Sequence, residues 1–277
     1  MVMLTPTEIN LSENVLNYNN VNIPFSFREA ISRGTFITGM PKSGKSNLGK
    51  IIAEHLLSKG ITIKVFDPSQ TWLSSSLPEY IRVWNNLQDC MDIPLKNSIV
   101  FDTSRLYPQI QAEAIGMLVE NDFQKILEGE NSHSIIYFIE EAQLVLPSGA
   151  LRARYSQQIF RMVSVGRNFN QRYVLLTQRP ADIDVKALSR SGQAYIGQHW
   201  EENDLRKLSR LLGEKFEPCR QKLAELQLGE FIYFNPYDKY KIKIETPEYK
   251  DNGIIPNFYQ KHVGEKKKGF WANLFGG

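Results

Sequence analysis

Apolar residues fall into short continuous runs separated by longer stretches in which they recur every three or four positions. The runs at 35–38, 61–66, 98–101, 135–139 and 173–177 read as buried strands. Between the first two, Leu48, Ile51, Ile52, Leu56 and Leu57 share one face at the 3.6-residue period, so a helix is expected from Lys45. Gly60 is placed to end it with a left-handed cap. Ile115, Leu118, Val119, Phe123 and Ile126 mark a second amphipathic helix, and a third is expected around 158–165. Strands alternating with helices of this length predict βαβ units and a mostly parallel central sheet with helices on both faces.

The pattern weakens at both ends. Residues 1–21 form a mixed, Asn-rich lead-in with weak strand signals, and one α/β domain is expected over 22–260. Its last third reads as helices at 204–212 and 220–226, then a hairpin of 231–234 with 241–244 around Asn235-Pro236. Residues 261–277 carry Lys266, Lys267 and Lys268 followed by Phe270, Trp271 and Phe275. That tail reads either as a solvated terminus or as a partner-binding peptide.

Composition adds little beyond the class. With 42% hydrophobic residues, 23% charged residues and a net charge of +3, the chain suits a globular protein and says nothing decisive about an anionic partner. No apolar run reaches the roughly 18 residues of a membrane helix, so no membrane segment is expected and a cytoplasmic location is the reading. Cys90 and Cys219 stand far apart without a CxxC or a histidine pair, which speaks against a disulfide framework or a zinc site.

The chemistry begins at Gly39-Met40-Pro41-Lys42-Ser43-Gly44-Lys45-Ser46. This matches G-x-x-x-x-G-K-[ST] at each fixed position and sits between a predicted strand and a predicted helix, the setting a phosphate-binding loop requires. Its glycines let backbone N–H groups turn onto the phosphates at the positive end of the following helix. Lys45 then reaches the β- and γ-phosphates, Ser46 offers a hard oxygen to Mg²⁺, and Asn47 closes the ATP-binding stretch.

Hydrolysis needs an acidic partner site. The strand at 135–139 ends in Glu140-Glu141-Ala142-Gln143, where an α/β sheet binds ligands. Glu140 is expected in the Mg²⁺ shell and Glu141 as the base that polarises water; the bland alternative is two glutamates capping the next helix. The next strand ends in Thr177-Gln178-Arg179-Pro180, and Gln178 reads as a sensor between γ-phosphate and water, or as a plain loop amide.

Together these motifs resemble the HerA/FtsK superfamily of DNA-pumping ATPases, most closely its HerA-like branch. The likeness spans about 22–247 and includes Phe66-Asp67-Pro68, Val165-Gly166-Arg167-Asn168 and Leu223-Ala224-Glu225-Leu226-Gln227-Leu228-Gly229-Glu230. It implies a RecA-like (ASCE) P-loop NTPase with a strand inserted between the P-loop and Walker B strands. It also implies a homo-oligomeric, hexameric ring that threads double-stranded DNA, in which an arginine from one subunit reaches the neighbour's γ-phosphate. Arg167 is the first candidate and Arg161 the second; either also reads as an ordinary surface arginine. Residues 147–154 read as a DNA-gripping pore loop through Arg152 and Arg154, or as a solvated basic turn. The chain departs from the pattern in showing neither a preceding β-barrel nor membrane segments, which resembles the economical form of viral genome-packaging ATPases and allows a virion-associated location. A motor for protein secretion or pilus assembly, and a nucleotide-controlled switch or scaffold, are the competing functions; a small-molecule kinase fits least.

Overall fold

The runs and amphipathic stretches assemble as alternating layers in a computed structural model that describes residues 14–77, 79–84, 87–130, 134–149, 157–237, 240–250 and 257–258. A hairpin of β1 (Val15–Tyr18) and β2 (Val21–Pro24) leads through α1 (Phe27–Ser32) to β3 (Thr35–Thr38) and α2 (Lys45–Ser58). Then come β4 (Thr62–Asp67), β5 (Glu79–Arg82), α3 (Leu87–Met91), β6 (Ile99–Asp102), α4 (Pro108–Leu127) and β7 (Ile135–Ile139). The order continues with α5 (Gln157–Val165), β8 (Gln171–Thr177), α6 (Val185–Arg190), β9 (Gln193–Ile196), α7 (Glu202–Leu212) and α8 (Phe216–Ala224). It closes with β10 (Glu230–Asn235), β11 (Tyr240–Glu245) and β12 (Asn257–Phe258).

Ten of these strands form one sheet in the order β11-β10-β9-β3-β8-β7-β4-β6-β5-β12. Pairing is parallel throughout except where β10 runs antiparallel to β9 and β11. The strand after the P-loop strand in space is β8, which separates β3 from β7. That is the inserted strand the RecA-like expectation requires.

The central strands β3, β4, β7 and β8 are buried on every residue because both faces are covered. In β7, Ile135, Tyr137 and Ile139 join the core under α3 to α8, while Ile136 and Phe138 join the opposite core under α1 and α2. Among the described residues, α-helices thus lie on both faces, six on one and two on the other. The β1–β2 hairpin belongs to the smaller layer, with Leu16 and Ile23 fully buried. Residues 15–24 therefore cross the expected lead-in boundary at 21.

Two expectations shift with physical cause. The helix expected over 220–226 runs Phe216–Ala224, since Pro218 sits in its first turn, where the missing N–H had no intrahelical partner to lose. Strand β9 escapes the apolar pattern because its first residue is Gln193, fully buried yet satisfied. Its amide nitrogen donates to Ser26 O at 3.2 Å and Thr35 Oγ1 at 3.0 Å, and its oxygen accepts from Ser26 N at 2.8 Å and the Tyr233 hydroxyl at 3.0 Å.

Candidate active site

The site lies where β3, β7, β8 and β9 end, at the carboxyl edge of the sheet. Between β3 and α2 the chain turns back on itself, and two glycines permit this for different reasons. Gly44 adopts φ +97°, a left-handed conformation that side chains rarely take. At Gly39 the limit is space, since a Cβ would stand 2.4 Å from Ser43 Oγ. The Ser43 hydroxyl is buried in the loop without a protein partner, as fits a group waiting for a phosphate oxygen. Pro41 and Lys42 lie exposed at the rim.

Lys45 is buried, its ammonium donating to Met40 O at 3.0 Å. Burial lowers its pKa, and the charges of Glu141 and Glu140 oppose that shift. The Met40 N–H donates to Gln198 O at 2.9 Å, and Gly229 N to Ser43 O at 3.1 Å, so segments after β9 and before β10 brace the loop from outside. Asn47 is spoken for: its amide nitrogen donates to Pro247 O at 2.9 Å and its oxygen accepts from Tyr249 N at 2.5 Å. Its side chain ties the exit of β11 to α2.

Glu140 and Glu141 take opposite surroundings although they are adjacent. Glu140 is buried, and desolvation pushes its carboxyl up to about 7 against hydrogen bonds from Ser46 and Trp72. Trp72 Nε1 donates to Glu140 Oε1 at 2.9 Å, and the Trp72 backbone N–H donates to Asp67 Oδ2, also at 2.9 Å. A buried carboxylate touching the Ser46 hydroxyl is a pair of hard oxygens beside the phosphate loop, which fits one face of a Mg²⁺ shell completed by phosphates and water. Glu141 sits in a left-handed turn at φ 48°, which swings its side chain out of the strand line. One carboxylate oxygen accepts from Gln178 Nε2 and the other from Gln143 Nε2 at 2.6 Å.

Lys45, Ser46, Glu140, Glu141 and Gln178 therefore converge. The fold has solved counterparts.

No protein-family model and no curated protein matches the chain significantly, but solved structures do. The genome packaging NTPase B204 of Sulfolobus turreted icosahedral virus 2, in complex with ATP-gammaS, superposes with a TM-score of 0.58 at 17% identity, over 77% of this chain and 96% of that one. VirB4 of Thermoanaerobacter pseudethanolicus gives 0.59 at 12% identity, over 85% and 96%. The bacterial conjugative coupling protein TrwB gives 0.62 at 11% identity, over 88% and 91%. This is a P-loop ATPase fold.

The remaining site residues divide. Arg161 is engaged within its own subunit, 3.1 Å from the Glu120 carboxylate and with its guanidinium 4.0 Å from the Phe123 ring centre. Arg167 is exposed in the turn before β8, a strand length of about 20 Å from Thr177 and at the opposite edge of the sheet. Arg152 and Arg154 lie outside the described residues.

Sequence reasoning missed two groups. Trp72 has no motif signal, because its contact with Glu140 depends on a turn after β4. His199 is the other: it is buried, and its Nε2 lies 3.0 Å from Thr38 Oγ1. Burial, then the charges of Lys45 and Arg179, lowers it to about 3, so it stays neutral beside the P-loop.

Proposed function

We propose that this chain is a MgATP-hydrolysing motor that acts as a homo-oligomeric ring on double-stranded DNA, genome packaging being one setting for it. The observation that carries the reading is the convergence of Lys45 and Ser46 with Glu140, Glu141 and Gln178 at one sheet edge. The likeness to a genome packaging NTPase and to a conjugative coupling protein supports the DNA substrate.

In this mechanism the loop N–H groups and Lys45 hold the triphosphate, and Ser46 with Glu140 would hold Mg²⁺, which would supply positive charge against the triphosphate. Glu141 accepts a proton from water as the water attacks the γ-phosphorus and the bond to the β–γ bridging oxygen breaks, the charge leaving on ADP, and Gln178, beside Glu141, orients that water. Arg167 has no route to its own site across the sheet, so it serves a neighbour's, stabilising charge that builds on the transferring phosphoryl group. Each active site is then completed by two subunits, which makes a ring the natural assembly.

Steady-state phosphate release with and without long linear duplex DNA tests the reading. Duplex DNA should raise turnover about tenfold or more, and Arg152→Ala with Arg154→Ala should remove the stimulation while basal turnover stays. Turnover indifferent both to DNA and to this double substitution would contradict the DNA role.

A further inference from the structure

Gln143 follows Glu141 by two residues and has no assigned part in the reaction, yet its amide is fixed at both ends. Its Nε2 donates to Glu141 Oε2 at 2.6 Å, and its Oε1 accepts from the Thr177 hydroxyl at 2.5 Å. The Thr177 oxygen in turn accepts from the Arg179 backbone N–H at 3.0 Å. Gln178 then returns from the β8 side to the other oxygen of Glu141. The result is a closed ring of hydrogen bonds in which 141 and 143 come from one strand end and 177 to 179 from the next.

Position explains why such a ring is needed. The β7–β8 ladder ends at Ile139 opposite Leu175, so beyond it no backbone pairing fixes Glu141 against Gln178. The left-handed turn at Glu141 removes it further from strand geometry. Thr177 supplies the missing register. It is fully buried, and its carbonyl accepts from Gly39 N at 3.3 Å and Thr38 Oγ1 at 3.1 Å, which ties the ring to the first residue of the phosphate loop.

We propose that Gln143, oriented by the Thr177 hydroxyl, is a positioning residue that sets the Glu141 carboxylate at a fixed angle to Gln178 and the phosphate loop. A carboxylate held by one amide swings about its Cγ–Cδ bond; held by two amides from opposite sides, it does not. Proton abstraction from a bound water is sensitive to that angle, whereas nucleotide binding is not. The inference rests on the hydrolytic role given to Glu141 above.

The test uses the full chain and measures kcat and KM for ATP in Gln143→Leu, Thr177→Val, the double variant, Thr177→Ser and Glu141→Gln. Gln143→Leu and Thr177→Val should each lower kcat about tenfold to a hundredfold with KM changed less than about threefold. The double variant should be about as slow as the slower single one, since both substitutions break the same chain of bonds. Thr177→Ser keeps the hydroxyl and should turn over within about threefold of wild type. A merely structural role for this buried strand residue would instead make Ser no better than Val. The inference is overturned if Gln143→Leu keeps wild-type kcat while Glu141→Gln is inactive, if Thr177→Ser falls as far as Thr177→Val, or if KM rises along with the fall in kcat. Should Glu141→Gln itself keep turning over ATP, the hydrolytic assignment fails first, and separately.

Discussion

At the scale of single residues, the adjacent carboxylates of Glu140 and Glu141 are held by different partners. Glu140 depends on an indole that no motif announces. Replacing Trp72 with Phe keeps the packing against Phe138, 5.4 Å between ring centres, and removes the N–H donated to Oε1. A hydrogen bond to a charged group contributes about 1.5–3 kcal/mol, so the Mg²⁺ concentration for half-maximal ATP turnover should rise about tenfold to a hundredfold. A Mg²⁺ titration of Trp72→Phe that overlays the wild type would remove Trp72 from this role. The phosphate loop and the paired glutamates were legible in the sequence because their chemistry demands fixed local spacing. Trp72, His199 and the bonds of Gln143 were not, since they arise where separate strand ends meet and leave no periodic trace. Asn47 shows the converse: its place in the motif suggested the nucleotide, while its side chain serves the exit of β11.

At the scale of elements, the apolar runs foretold β3, β4, β6, β7 and β8 nearly in place because these strands are covered on both faces. A buried polar residue hid β9, which opens on Gln193, but did not hide β4. Strand β4 carries such a residue in Lys64, buried under α4 with its ammonium 2.6 Å from Asp122 Oδ1. The other oxygen of Asp122 accepts from the Tyr137 hydroxyl at 2.8 Å, and that hydroxyl accepts from Gln171 at 2.9 Å. The network joins β4, β7 and β8 to one helix and leaves no charge uncompensated. Lys64→Met strands the Asp122 carboxylate, so it should lower unfolding stability by about 3–5 kcal/mol in denaturant titration. Adding Asp122→Asn should recover part of the loss, and an undiminished stability in Lys64→Met would show that Asp122 is not held by this pair.

At the scale of the whole molecule, the sheet separates two kinds of surface. One edge gathers the phosphate loop, both glutamates and Gln178; the other carries Arg167, out of reach of its own nucleotide site. Sequence reading offered Arg167 for a neighbour's site only through resemblance, because nothing in periodicity says which subunit an arginine would serve. Among the described residues no helix is long and apolar enough to cross a membrane. If hydrolysis drives the chain along duplex DNA, as proposed, displacement of a triplex-forming oligonucleotide from linear duplex DNA reads that movement directly. With MgATP the wild-type protein should strip the third strand, while Glu141→Gln, or wild type with a non-hydrolysable analogue, should leave it bound. Vigorous ATP hydrolysis on the same DNA with the triplex intact would contradict the account.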